Sequence, residues 1–246
     1  MNPLINNAAQ LRWRWGAEVP LTVRIPLGAK TRSGPFHANM IESWFANDPG
    51  LIIVFPSTPQ DAYDMLVEAH ALDDPVVYIE HIGLYGLRGG KTGWGESISQ
   101  LVDTDSVHAR LARGESSIGQ AHVVRGGKDV TIVTWGAMVH VAQAAIRKSG
   151  ISCDLIDLQS LVPWDKEAIE ASIEKTGRCV IVHEAPKTSG FGAEMAASIQ
   201  ERCFWSLEAP VNRVTGWDTP FPHTTEWDYM PSPERIAEAI KKTQEE

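Results

Sequence analysis

The feature that most constrains this chain is a recurring alternation of short, continuous apolar runs with longer amphipathic stretches. Leu51 to Phe55, Val76 to Ile79 and Cys179 to Val182 are continuous apolar runs, and Val130 to Trp135 and Cys153 to Leu158 are interrupted only by Thr131, Thr134, Asp154 and Asp157. Such runs belong to strands buried on both faces, which occurs in parallel sheets covered by helices. Stretches with helical spacing stand between them: Leu4–Trp15, His37–Asn47, Asp61–Leu72, Val139–Lys148, Trp164–Lys175, Gly190–Cys203 and Pro233–Lys242. Two shorter strands are expected at Leu21–Ile25 and Val211–Val214. The pattern predicts an α/β protein with two parallel-sheet domains and right-handed crossovers. It weakens from Gly83 to Gln120, which reads as a loop and linker, so the expected division is 1–119 and 120–246.

Length and charge narrow the function classes. The 246 residues suit two domains, and 22 Lys+Arg against 31 Asp+Glu leave a net charge of −9. That balance argues against nucleic acid as the principal partner, because such proteins concentrate positive charge. No stretch reaches the roughly 18 consecutive apolar residues of a membrane span. The first residues show no signal-peptide pattern. Three widely spaced cysteines, Cys153, Cys179 and Cys203, form no CxxC pair and no disulfide framework. A reducing compartment follows, the cytoplasm or the mitochondrial matrix.

Several motifs fail on inspection. Gly86-Leu-Arg-Gly-Gly90-Lys91-Thr92 looks like a phosphate loop, but Tyr85 stands where the mechanism needs glycine. The segment around Ser116 and Ser117 misses the nucleophile-elbow spacing by one residue. There is no GxGxxG after a strand and no HExxH. Three histidines remain of interest. His37 lies beyond the strand ending at Ile25, where ligands bind in parallel α/β sheets. An imidazole there titrates near neutral pH and can hydrogen-bond a substrate oxygen, although a cap or surface residue is the commoner role. His183-Glu184 follows a buried strand in the same way, with Glu184 as a local pair or helix cap as the structural alternative. His223 sits in a proline-locked loop.

A family resemblance runs nearly end to end. Ile5 to Gly16, Leu21-Thr-Val-Arg-Ile-Pro-Leu-Gly28, Phe36-His37, Trp44-Phe-Ala46, Pro49-Gly-Leu51, Pro56 to Ala62 and Asp74 to Glu80 resemble successive blocks of one family. Val130 to Gly136, Asp154 to Leu158, Leu161-Val-Pro-Trp-Asp165, Thr176-Gly-Arg178, Val182-His-Glu-Ala-Pro186, Gly190 to Glu194 and Asp218-Thr-Pro-Phe-Pro222 continue it in order. The family is the β subunit of thiamine-diphosphate-dependent 2-oxo acid dehydrogenases, the E1 component of the pyruvate and branched-chain complexes. The Pro-Trp-Asp and Asp-Thr-Pro-Phe-Pro blocks lean towards the branched-chain members.

The resemblance implies a transketolase-like pyrimidine-binding domain followed by a transketolase C-terminal domain. It implies decarboxylation of a 2-oxo acid and acyl transfer to a lipoyl-bearing E2, with thiamine diphosphate shared between this chain and an E1 α subunit that holds magnesium. The assembly implied is α2β2 or a β homodimer. His37 matches the family's active-site histidine, although Ala38 and Asn39 replace the Ser and Gln that follow it there. The glutamate that polarises the pyrimidine ring is expected upstream of the helix at which this chain starts, so no residue here is matched to it. By the same comparison about the first third of a typical β subunit is expected to be missing, through a fragmentary sequence, a separate chain or a loss of activity. Residues 1–110 are then expected to be poorly stable alone or to lean on another chain. Backbone carbonyls at Leu21, Thr22, Leu72 and Asp74 correspond to a potassium site, with Ala69 and Leu72 departing from the family's residues. The competing readings are a non-catalytic assembly module, with 120–246 as its contact surface, and a more distant transketolase-type enzyme.

Overall fold

The computed structural model describes residues 1–29, 33–85 and 100–246. The phosphate-loop-like stretch at 86–92 lies outside them. In chain order the strands are β1 (Thr22–Leu27), β2 (Ile52–Val54), β3 (Val76–His81), β4 (His122–Arg125), β5 (Val130–Thr134), β6 (Cys153–Asp157), β7 (Ser160–Val162), β8 (Cys179–Pro186) and β9 (Asn212–Gly216). The helices are α1 (Ala9–Trp15), α2 (Glu42–Ala46), α3 (Pro59–His70), α4 (Asp105–Ala112), α5 (Met138–Ser149), α6 (Lys166–Thr176), α7 (Phe191–Cys203), α8 (Glu226–Tyr229) and α9 (Pro233–Glu245). A π-helical turn at Pro3–Ala8 runs into α1.

Among the described residues the strands form two sheets, in the orders β1-β3-β2-β7 and β4-β6-β5-β8-β9. Pairing is parallel throughout the centre of each, as the apolar runs require: β1 and β2 flank β3, and β6 and β8 flank β5. All five residues of β5 and of β6 are buried. Helix boundaries follow local chemistry. Thr58 and Asp61 close a capping box at the start of α3, with Pro59 in its first turn. Asp165 caps α6 by accepting from the Ala168 amide, and Gly177 ends that helix in the left-handed conformation.

Four features depart from the sequence expectation. The helix expected over His37–Asn47 is a 3-10 turn at Gly34–Phe36 followed by the short α2. The Asn39 side-chain amide donates to the Pro35 carbonyl at 2.5 Å, a local bond that competes with helix propagation. The expected linker contains α4, which buries one apolar side chain, Val107, and is otherwise anchored by polar contacts. Arg110 pairs with Asp64 and Glu68, and the Ser116 and Ser117 hydroxyls donate to Glu68. Strand β4 pairs antiparallel with β6, so the second sheet is mixed.

The last departure concerns how the halves are joined. Strand β7, from the second half of the chain, pairs antiparallel with β2 in the first sheet. The Phe55 amide also donates to the Gln159 carbonyl at 2.6 Å. One core serves both sheets: Leu27, Ile53, Phe55, Val77 and Ile79 pack in one cluster with Val133, Trp135, Ile156, Ile181 and Phe191. A second cluster lies on the far face of the five-stranded sheet under α5 and α9, and a third lies under α3.

Candidate functional site

The carboxyl ends of β1, β3 and β8 converge, and the first residues past β1 meet an acidic side chain from β8. The Ala29 amide donates to Glu184 Oε1 at 2.7 Å, and His81 Nε2 lies 2.7 Å from Glu184 Oε2. The Gly83 amide donates to His81 Nδ1 at 3.0 Å, so Nδ1 is the acceptor and Nε2 carries the hydrogen given to Glu184. The His81 and Glu184 side chains are 1% and 2% exposed. Gly28 stands at φ +102°, and a Cβ there would come within 2.5 Å of the His81 ring. Glycine is therefore required both by the backbone conformation and by the close approach.

A second buried carboxyl lies nearby. Glu42, at the start of α2, is fully buried and neither of its oxygens has a hydrogen-bond partner. Burial pushes this carboxyl up to about 7, and the charge of Glu184 adds to the rise. His183 is also fully buried, with both ring nitrogens unpartnered. Its ring stacks on Trp135 at a centroid distance of 5.4 Å. Burial pushes it down to about 3, with Arg213 adding in the same direction, so it is a neutral packing element at physiological pH.

His37 itself is exposed, at the end of the Gly34–Phe36 turn, with its amide bonded to the Gly34 carbonyl. Gly34 is buried at φ +66°, and a Cβ on it would meet the His223 ring at 2.1 Å. The loop bearing His37 thus rests against the loop that follows β9. His37 and His223 come from adjacent loops and Glu184 lies at the root of the same edge, whereas His183 is enclosed in the core. Leu21, Thr22, Leu72 and Asp74 lie at the opposite edge, before or at the amino ends of β1 and β3. The Leu21 carbonyl accepts the Val76 amide at 2.8 Å, and Arg12 binds the Asp74 carboxylate. Among the described residues no group of three His, Cys, Asp or Glu side chains stands together as a metal site.

Sequence reasoning did not single out Glu42 or His81. His81 had a usable signal, since it ends an apolar strand run just as His183 does. Glu42 had none, because nothing in Ile41-Glu42-Ser43 shows that the carboxyl is enclosed.

The model of the transketolase C-terminal domain matches residues 119–236. The 2-oxoisovalerate dehydrogenase subunit beta of Pseudomonas aeruginosa is 44% identical over 98% of this chain and 69% of its own length. This chain belongs to the family of 2-oxo acid dehydrogenase E1 β subunits. The mitochondrial 2-oxoisovalerate dehydrogenase subunit beta of Dictyostelium discoideum is 42% identical to it over 98% of this chain and 62% of that protein. The pyruvate dehydrogenase E1 component subunit beta of Bacillus subtilis is 37% identical over all of this chain and 72% of that protein. This E1 β chain therefore spans about two thirds of the length of its curated relatives. A solved split-gene transketolase, described as an inactive beta4 tetramer, matches with a TM-score of 0.69 at 20% identity, over 98% of this chain and 74% of that one. That likeness speaks to the fold alone. No described helix of this E1 β chain is long and apolar enough to cross a membrane.

Proposed function

We propose that this chain acts as the β half of an E1 enzyme that decarboxylates a 2-oxo acid, branched-chain or pyruvate, and passes the acyl group to a lipoyl-bearing E2. The observation that carries the proposal is the placement of His37. It is an exposed imidazole at the carboxyl edge of a parallel sheet, on a loop backed by the second half of the chain, in a member of the E1 β family. The donor set fits one side of a shared cofactor, because His37 is presented outward while the groups behind it are enclosed. Thiamine diphosphate supplies the electron sink for decarboxylation when bound. In this reading the E1 α chain holds the diphosphate and its magnesium, and the two chains assemble as α2β2 in the cytoplasm or mitochondrial matrix.

His37 is then the group that holds or moves a proton beside the reacting carbon. Positioned acid–base groups of this kind contribute about 10²–10⁴-fold. The Gly34 backbone of the loop bearing His37 rests against His223, and His183 is enclosed in the core. Residues 1–119 supply the loop in this reading, and 120–246 form the transketolase C-terminal-like domain that backs it. The carbonyls of Leu21, Thr22, Leu72 and Asp74 remain the proposed potassium ligands, as a structural ion remote from His37.

The test is reconstitution of a full-length β subunit carrying this sequence with its α chain and a lipoyl E2. His37→Ala is expected to lower lipoyl acylation by about 10²-fold or more with the circular dichroism spectrum retained. Unchanged turnover would remove His37 from the site, and a reconstituted complex inert towards every 2-oxo acid would overturn the function itself.

A further inference from the structure

The stretch between β1 and His37, described at 28–29 and 33–37, is held on both sides by the second half of the chain. At its far end Gly34 lies flat against His223. At its near end Ala29 is completely buried, and its amide is held by a side chain 155 positions away, Glu184. The same carboxylate reaches His81 at the carboxyl end of β3 through its other oxygen. One buried group therefore ties the exit of β1 to the exit of β3 from within β8. Charge-assisted hydrogen bonds of this kind are shorter and stronger than neutral ones. Removing the acceptor leaves a buried amide and a buried imidazole N–H without a partner, which is more damaging than losing the bonds alone. Gly28 lies against the His81 ring, so any shift of that ring is transmitted directly to the start of the loop.

We propose that Glu184 is a positioning residue for His37, fixing the root of the loop that presents the imidazole through the Ala29 amide and His81. Its side chain is 2% exposed, so it acts through the groups it holds rather than at the surface. The inference rests on the proposed function and adds to it a control point in the opposite half of the molecule. Misplacement of a reacting group by about 1 Å can cost on the order of 10²-fold in rate.

The experiment uses the holoenzyme reconstituted from a full-length β subunit carrying this sequence, its α chain and a lipoyl E2. Glu184→Ala is expected to lower kcat by roughly 10²-fold with KM little changed, because the loop enters the chemical step rather than ground-state binding. Glu184→Gln keeps an acceptor for Ala29 but turns a donor towards the His81 hydrogen, so its loss lies between parent and alanine variant. In a His37→Ala background, Glu184→Ala should add little further loss, since residues acting as a unit are not additive. Losses that multiply would overturn the proposal, because Glu184 would then act independently of His37. Amide hydrogen exchange provides a readout that needs no activity. In both Glu184 variants, exchange at Ala29 and across 33–37 should rise while β5 and β6 keep their protection. Unchanged exchange at those amides overturns the positioning role. Raised exchange in a complex whose turnover ignores His37→Ala would instead indict the assignment of His37.

Discussion

Glu42 combines complete burial with an unmatched carboxyl, and its protonation is tied to the stability of the whole chain. The folded protein holds this proton until about pH 7, whereas the unfolded chain releases it near the ordinary value of 4.5. Stability from this group is therefore full below about 4.5 and declines until pH passes about 7. The loss is on the order of 3 kcal/mol. Asp157 acts in the same sense: burial pushes it up to about 8 despite the hydrogen bond from Ser57, and its window extends correspondingly higher. The parent should thus lose melting temperature between pH 5 and 8. Glu42→Gln, which has no proton to release, should lose measurably less, and equal slopes in the two proteins would refute the buried-proton account. Residues of this kind were poorly legible in the sequence. His37 could be named because it follows a strand and matches a family motif. Glu184 was visible only as a partner for something local, because pairing across 103 and 155 positions leaves no mark in a linear pattern.

Strand β8 and helix α7 are closely fitted neighbours. Gly192 sits in the first turn of α7, and a Cβ on it would fall 2.5 Å from the His183 ring. That ring cannot retreat, because it is stacked on Trp135, which in turn packs edge-on against Phe191. Gly192→Ala gains up to about 1 kcal/mol of helix propensity but incurs about 1–3 kcal/mol of overpacking. A net loss on the order of 1–2 kcal/mol is expected, visible as a lower urea midpoint with an unchanged slope. A higher midpoint would show that the His183 ring has room to move. Most elements were readable from periodicity and caps, notably α3, α6 and the five apolar strands. Where polar contacts rather than an apolar stripe hold a segment, the reading failed in both directions. Helix α4 was hidden because its anchor, Arg110, works through Asp64 and Glu68. The stretch after His37 looked helical because nothing in its composition shows the Asn39 side chain bonding Pro35.

The molecule as a whole was read as two α/β units, and both sheets exist. Their interdependence was not legible, because the three-residue β7 follows β6 after a short gap and gives no sign that it belongs to the other sheet. With Ile53, Phe55, Val133, Trp135 and Leu161 in one cluster, each sheet loses the packing of its inner face if the other melts. Urea unfolding should therefore show one transition, with tryptophan fluorescence and far-ultraviolet circular dichroism coincident. Two separated midpoints would show that the halves fold independently.

The crossing of β7 also bears on how such chains can be recombined. A chimera spliced near residue 120 inherits from its donor not only the second sheet but also the outermost strand of the first. The donor's β7 must then match the recipient's β2 in register and side-chain volume. Successful grafts between relatives should be those that exchange β2 and β7 together, so the effective unit of inheritance is a pair of strands from opposite sides of the splice.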